Sequence, residues 1–212
     1  MTAPLPPPTK PGRRRARLLV VPVLLLGLGT LAFVIFYIRG TWATTQPRNP
    51  TSVAEGPVSQ MYQTPAGDKV VRCAIVLPHP AERVWAVVTD YPHYSDFLPY
   101  LSNVEATPSD DGCVMKGQAA SAVSGTCPFE ITVREDKHAR RVAWDEKPAQ
   151  GDVLLNRGSW ELTPVGNDQT LLVLTLQAEV RSSPDFFLRN FFLYRLKQVV
   201  RAVERRLKSQ TS

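Results

Sequence analysis

The side chains most able to do chemistry lie in the segment 90–100, DYPHYSDFLPY. Its two carboxylic acids, Asp90 and Asp96, could act as a general acid and a general base, with His93 between them. The pattern favours a structural explanation, in which Asp90 caps a short helix that follows it. Four rings would then wedge this helix against a sheet edge, or form a gate there: Tyr91, Tyr94, Phe97 and Tyr100.

The remaining reactive side chains form no recognisable catalytic pattern. The sequence contains no GxSxG, HExxH, P-loop or GxGxxG motif. The serines and histidines that a triad could use are Ser121, Ser124, Ser159, His79, His93 and His138. Their spacing does not support a triad, and we interpret the histidines as exposed or locally hydrogen-bonded. We therefore predict no catalytic residue and no cofactor.

Three cysteines, Cys73, Cys113 and Cys127, lack the CxxC spacing typical of a zinc site. A disulfide between Cys113 and Cys127 is conceivable outside the cytoplasm. The pattern favours buried thiols that pack as small apolar residues. Because the histidines are also scattered along the chain, we predict no bound metal.

The net charge of +6 lies mostly in the N-terminal arm. Residues 1–54 contain seven basic residues and no acid, which leaves 18 basic and 19 acidic residues in the rest of the chain. A near-neutral globular part lacks the basic surface that nucleic acids require, so we predict no nucleic-acid binding. The segment 185–208 is more basic, with seven basic residues and two acids. The pattern favours a solvated helix face over a surface for anionic lipid.

Residues 1–17 form a basic, Pro-rich arm, and Leu18–Ile38 contains 21 residues without a charge. At ~1.5 Å per residue, a helix of that length spans about 31 Å, close to the hydrocarbon core of a bilayer. A cleaved signal peptide is the competing interpretation. Its apolar region is normally ~7–15 residues long, and no A-x-A cleavage site follows here. We therefore predict an uncleaved transmembrane helix over Leu18–Ile38.

The arginines near this segment indicate its orientation, since four precede it within the arm and only Arg39 and Arg48 follow closely. The positive-inside rule then places the N-terminus in the cytoplasm and the following domain across the membrane, in the periplasm if the organism is bacterial. Residues 39–67 are rich in polar residues, Pro and Gly without apolar periodicity, and they predict a flexible linker. A globular domain should cover residues 68–208.

From residue 68 the sequence predicts one strand, two helices, six strands and one long helix. The predicted strands are 70–77, 102–107, 113–120, 127–135, 139–146, 154–163 and 169–181, and the helices are 80–89, 91–99 and 184–208. Turn residues between successive strands indicate antiparallel neighbours. An antiparallel sheet must bury one face, so the last helix should lie across it. The apolar interior is then either a filled core or a pocket.

The first helix and the element after it carry a pattern that can be compared with known families. Residues 84–99 have the pattern VWxxxxDYxxYxxFxP, and PHPAER precedes them. With the strands and the closing helix, residues 68–208 resemble the polyketide cyclase/dehydrase and lipid-transport family, which includes START-like and coenzyme Q-binding proteins. The resemblance implies an α+β helix-grip fold, with a curved seven-stranded antiparallel sheet, two short helices and a long C-terminal helix.

The resemblance also implies a binding protein for a hydrophobic small molecule (lipid, quinone or polyketide-like), held between the sheet and the last helix. One alternative is an enzyme of the polyketide cyclase/dehydrase type. Another is a module that binds a partner or a membrane surface through Arg195, Arg201 and Arg205. The predicted inward positions include no ionisable side chain, which favours binding over catalysis. The predicted cavity residues are Ile75, Tyr94, Phe97, Met115, Ile131, Val133, Trp144, Trp160, Leu174, Leu176, Leu188 and Phe192.

Overall fold

A computed structural model describes most of the chain beyond its N-terminal segment. The described ranges are 47–110, 112–121, 125–146, 153–180 and 185–210. The predicted arm, the transmembrane helix over Leu18–Ile38 and the first part of the linker lie outside them. None of the helices in the described ranges has both the length and the apolar character that a membrane span needs.

The described residues form one antiparallel sheet of eight strands with a long helix across it. The strands are β1 (Val58–Gln63), β2 (Lys69–Leu77), β3 (Leu101–Ser109), β4 (Gly112–Ser121), β5 (Gly125–Asp136), β6 (Arg141–Glu146), β7 (Val153–Pro164) and β8 (Thr170–Val180), and the helices are α1 (Ala81–Val88), α2 (Tyr94–Phe97) and α3 (Asp185–Ser209), with short 3-10 turns at Val53–Glu55 and Tyr91–His93. Their order in the sheet is β1-β2-β8-β7-β6-β5-β4-β3. The predicted α+β helix-grip architecture is confirmed.

The strand count corrects the prediction of seven, because β1 lies inside the segment 39–67 that we predicted to be a linker. Its sequence, VSQMYQ, mixes polar and apolar residues without a clean alternation. Such a strand is held by its backbone, which pairs antiparallel with β2 from Val58 opposite Ala74 to Gln63 opposite Lys69. A prediction based on apolar side chains therefore does not detect it.

Strand β2 is buried on both faces, which explains why its apolar residues do not alternate with polar ones. Only Lys69 at its start is exposed. On one side of the strand, the guanidinium of Arg72 donates to the backbone carbonyl of Arg48 at 3.3 Å and also to the side-chain oxygen of Asn49. The residues before β1 therefore cover this side of the sheet, and Arg72 remains only 8% exposed.

Helix α1 forms because its apolar residues recur at helical spacing, with Ala81, Val84, Val87 and Val88 buried. It packs against the C-terminal part of α3, and the guanidinium of Arg83 donates to the carbonyl of Leu207 at 3.1 Å. We call the tightly packed region around this contact the filled half of the domain. Its members, each at most 2% exposed, are Leu77, Val84, Val87, Val88, Leu172, Val200, Val203 and Leu207.

Candidate functional site

A cavity of about 210 Å³ lies between the sheet and the N-terminal part of α3, and it opens to the protein surface. The segment 91–101 forms one of its sides. Nine of the predicted cavity residues are on its wall: Tyr94, Met115, Ile131, Val133, Trp144, Trp160, Leu174, Leu176 and Phe192. Their role in holding a ligand stays a prediction.

The other three predicted residues are not part of this wall. Ile75 is 3% exposed and packs in the core, where it is opposite Leu172. Phe97 contacts the ring of Tyr94 edge-on at 5.7 Å, and the guanidinium of Arg206 lies 5.6 Å from its ring centre. Leu188 belongs to α3, but its side chain lies outside the part of the chain that the structure describes.

Sequence reasoning did not select twelve further residues of the cavity wall. They are Tyr91, Leu98, Pro99, Tyr100, Leu101, Ala119, Phe129, Val142, Asn156, Arg195, Leu196 and Val199. Most of them come from the segment after α1 and from α3. Strand periodicity does not find such residues, because it shows which face of the sheet a side chain lies on and not which residues line a cavity. The wall is therefore mostly apolar, with three tyrosines, Asn156 and Arg195 as its polar members.

Two glycines allow large rings to lie against the sheet. Gly158 is directly opposite Trp144 in the neighbouring strand, and a Cβ added to it would be 2.3 Å from the indole ring. Gly117 is opposite Phe129 in the same way, with a distance of 3.0 Å. Because neither glycine has a side chain, each ring can cover its partner strand and leave the space above it open.

The indole of Trp144 is also held by a hydrogen bond. Its Nε1 donates to Oδ1 of Asn156 at 3.3 Å. Asn156 is thus a polar wall residue whose oxygen is already used by the protein. Together with Gly158, this bond fixes the orientation of the ring that forms one side of the cavity.

The segment 90–97 is fixed by its tyrosines. The hydroxyl of Tyr91 donates to Glu135 at 2.9 Å, and that of Tyr94 donates to the carbonyl of Val88. The two rings meet edge-on at 5.6 Å. Burial raises the pKa of both hydroxyls above the ordinary tyrosine value, so both stay neutral donors. These rings therefore wedge the segment against the sheet, as the sequence suggested.

The acid pair considered from the sequence does not border the cavity. Asp90 is at the N-cap position, but its side chain makes no capping hydrogen bond. Its carboxylate instead lies 2.6 Å from Nδ1 of His93 and 3.8 Å from the guanidinium of Arg206. Asp96 is exposed, and neither aspartate is on the cavity wall.

Arg195 is the cavity residue that the sequence placed wrongly, since we had assigned it to an outer basic face with Arg201 and Arg205. The latter two are exposed, whereas Arg195 is half-buried on the wall. Its guanidinium donates to the carbonyl of Ala120 and lies 4.0 Å from the ring centre of Tyr100. Its spacing could have revealed this, because it lies three residues after Phe192 and four before Val199 on the apolar side of the helix.

The described residues contain no cluster of three or more His, Cys, Asp or Glu side chains that could hold a metal ion. The cysteines are free thiols, with Cys73 and Cys113 buried and Cys127 partly exposed. Burial raises the pKa of Cys73 and of Cys113. The two buried thiols therefore pack as small apolar residues.

A family model described as "Polyketide cyclase / dehydrase and lipid transport" matches residues 77–204. The chain belongs to this family. The match runs from the end of β2 into α3, and it includes all the residues of the cavity wall. No curated protein matches the chain.

Solved structures named as lipid transfer proteins and as an aromatase/cyclase share this fold. Human StAR-related lipid transfer protein 5 is 14% identical, with a TM-score of 0.63 over 87% of this chain and 96% of that protein. A STAR-related lipid transfer protein from Xanthomonas axonopodis is 15% identical, with a TM-score of 0.62 over 79% and 99%. The Zhui aromatase/cyclase from Streptomyces sp. R1128 is 21% identical, with a TM-score of 0.54 over 68% and 95%. At these identities the likeness concerns the fold.

Proposed function

We propose that this domain binds a hydrophobic small molecule, such as a lipid, a quinone or a polyketide-like compound, in the cavity between the sheet and α3. The observation that carries the proposal is the mostly apolar wall, with seven aromatic residues among its 21, around about 210 Å³ of space. Binding cavities in proteins are typically apolar with a few placed polar groups. The family description includes lipid transport, and two similar structures bear the name lipid transfer protein.

The composition of the wall supports binding without catalysis. Among its described residues none is Asp, Glu, His, Lys or Cys, the side chains that most often transfer protons or attack a substrate. Tyr91 and Tyr94 have raised pKa values and already donate to protein acceptors. The guanidinium of Arg195 stays protonated near neutral pH and cannot act as a base.

A polyketide cyclase/dehydrase-type activity is the second candidate, and Arg195 is the observation that favours it. A cation in an apolar cavity could stabilise the negative charge that develops on an enolate oxygen. The family description includes such enzymes. Incubation of the chain with a linear poly-β-keto thioester separates the two candidates, because only an enzyme would form one cyclised or dehydrated product faster than it forms spontaneously in a protein-free sample.

Binding can be tested by filling the cavity. Ala119 is on the wall, whereas Ala139 is exposed in the turn between β5 and β6, so Ala119→Trp and Ala139→Trp form a matched pair. The full chain and both variants would be purified and extracted with organic solvent, and the extracts analysed by mass spectrometry. We expect a hydrophobic molecule with the wild type and with Ala139→Trp, and none with Ala119→Trp. Equal amounts in all three samples, or none in any, would contradict the proposal.

We further propose that the uncharged segment Leu18–Ile38 anchors the domain in a membrane, with the domain outside the cytoplasm. The basic arm before it and its length of 21 residues support this proposal. A ligand carrier tethered to a bilayer would remain close to a source of hydrophobic molecules. The mass of the mature chain tests cleavage, and fusion of alkaline phosphatase to the C-terminus tests orientation. An inactive phosphatase fusion would reject the proposed orientation. Loss of the N-terminal residues from the mature chain would reject the uncleaved anchor.

A further inference from the structure

A positive charge lies on the cavity wall without an acidic partner among the residues that the structure describes. Arg195 is half-buried on the wall, and among the described residues it has no ion pair with Asp or Glu. Its one described hydrogen-bond acceptor is the carbonyl of Ala120. Burial lowers the pKa of Arg195, which reflects the cost of removing its charge from water. Because a charge that is partly removed from water is stabilised by an opposite charge, a ligand that brings negative charge would complete this site.

Two aromatic rings lie against the guanidinium of Arg195. The ring of Tyr100 lies 4.0 Å away and the ring of Phe191 lies 4.1 Å away, measured from the guanidinium carbon to each ring centre. Rings at these distances hold the planar group in place. Of its five N–H donors, the described hydrogen bond uses one nitrogen, Nη1. A planar, fixed guanidinium with donors to spare suits two oxygens of one anion.

The backbone next to Arg195 is also held in an unusual conformation. Tyr100 has a φ angle of +77°, a value that bulky residues rarely adopt. Its carbonyl accepts from the amide of Ala120 at 2.8 Å, and the carbonyl of Ala120 accepts from Arg195. Two hydrogen bonds therefore link Tyr100 to Ala120 and Ala120 to Arg195. This chain of bonds keeps the tyrosine ring against the guanidinium.

We propose that Arg195 binds the anionic oxygens of a single-chain hydrophobic acid, a carboxylate or a phosphate, whose apolar chain lies along Trp144 and Trp160. The proposal rests on the proposed function and names the ligand class. A single chain is favoured because about 210 Å³ is below the ~300 Å³ at which pockets for drug-sized ligands usually begin. The negative end would neutralise Arg195, and the rest would meet mainly apolar and aromatic side chains, since the oxygen of Asn156 already accepts from Trp144.

The test compares three probes that share one alkyl chain, namely decanoate, decyl phosphate and decanol. Binding to the full chain in phosphatidylcholine nanodiscs at pH 8 would be measured, with empty discs as the blank for partitioning. We expect at least one of the two anions to bind the wild type about tenfold or more tightly than decanol, as a charged hydrogen-bonded pair implies. Preference for decanoate or for decyl phosphate identifies a carboxylic acid or a phosphate as the head group.

Matched variants separate the role of Arg195 from a general charge effect. Arg195→Met should remove the preference for the anion and leave decanol binding within about twofold, whereas Arg201→Met on the exposed side of α3 should leave all three affinities unchanged. A further measurement needs only the wild type. The 13C chemical shift of carboxyl-labelled decanoate, followed against pH, gives the pKa of its carboxyl group, which should be lower when bound to the protein than in empty discs. Equal binding of all three probes would overturn this inference and leave the proposed function intact. No binding of any probe would also overturn this inference, and the extraction experiment with Ala119→Trp and Ala139→Trp would then decide the proposed function by itself.

Discussion

Leu172 and Leu174 are two residues apart on the same face of β8, yet they belong to different regions. Leu172 is fully buried in the filled half, whereas Leu174 is on the cavity wall. In the filled half, aliphatic side chains from α1, α3 and the sheet occupy the interior. In the cavity half, aromatic rings lie against glycines and leave space. We therefore expect the filled half to contribute more to stability than the cavity half, and we propose that the cavity half keeps room for a ligand.

The largest difference is expected between Leu172→Ala and Leu174→Ala. Leu→Ala in a core costs ~2–5 kcal/mol of unfolding free energy, and the cost increases with the volume of the new cavity. Leu172→Ala should be in the upper part of that range, because its neighbours are fully packed. Leu174→Ala enlarges a cavity that already exists, so it should cost at least about 1 kcal/mol less. Urea denaturation of both variants measures this, and equal losses would remove the distinction between the halves.

Gly158→Ala tests whether the cavity depends on a missing side chain. The added Cβ would be 2.3 Å from the ring of Trp144 and 2.4 Å from the carbonyl oxygen of Thr175. We expect a loss of ~1–3 kcal/mol in unfolding free energy, typical of overpacking, with the indole displaced into the cavity. Extraction of bound molecules should then yield less ligand than from wild type. Unchanged stability together with unchanged ligand content would show that the position of the Trp144 ring does not depend on the missing side chain at Gly158.

A smaller effect, with a defined pH dependence, is expected for Tyr91→Phe. Loss of the hydroxyl that donates to Glu135 should cost ~1 kcal/mol at neutral pH. Burial, followed by the bond to Glu135, raises the pKa of Tyr91 in the folded state. Above about pH 10 the unfolded chain therefore loses its tyrosine proton first, and stability falls as pH rises.

Tyr91→Phe lacks this group and should show a shallower decline in stability between about pH 9 and pH 11. Tyr94, whose pKa is raised mainly by burial, contributes a similar decline that remains in the variant. Urea unfolding at a series of pH values measures both slopes. Parallel slopes for wild type and variant would mean that Tyr91 does not titrate differently in the folded state.

The sequence predicted the order of the elements well where turn residues mark their ends. The strand predicted at 113–120 is Gly112–Ser121 in the structure, and the helix predicted at 184–208 is Asp185–Ser209. Strand β1 was not predicted, because pairing through the backbone leaves no apolar pattern in VSQMYQ. Side-chain periodicity and turn residues thus identify strands and helices that have a regular apolar pattern, and they miss a strand that lacks one.

The cavity was harder to predict than the fold for a related reason. Period-2 alternation correctly placed Trp144 and Leu174 on the inner face, but it also selected Ile75, whose neighbours fill the space in front of it. Arg195 looked like a surface charge among the basic residues of α3. Its position on the wall depends on Tyr100 and Ala120, which are far from it in sequence.

The central claim is that the cavity half holds a hydrophobic molecule. A crystal structure of the full chain, purified with its bound material, tests it most directly. We predict electron density for an elongated apolar molecule bounded by Trp144, Trp160 and Phe192, in a cavity of the present outline. A structure in which these rings have rotated inward and fill the space, with no bound molecule, would contradict the claim.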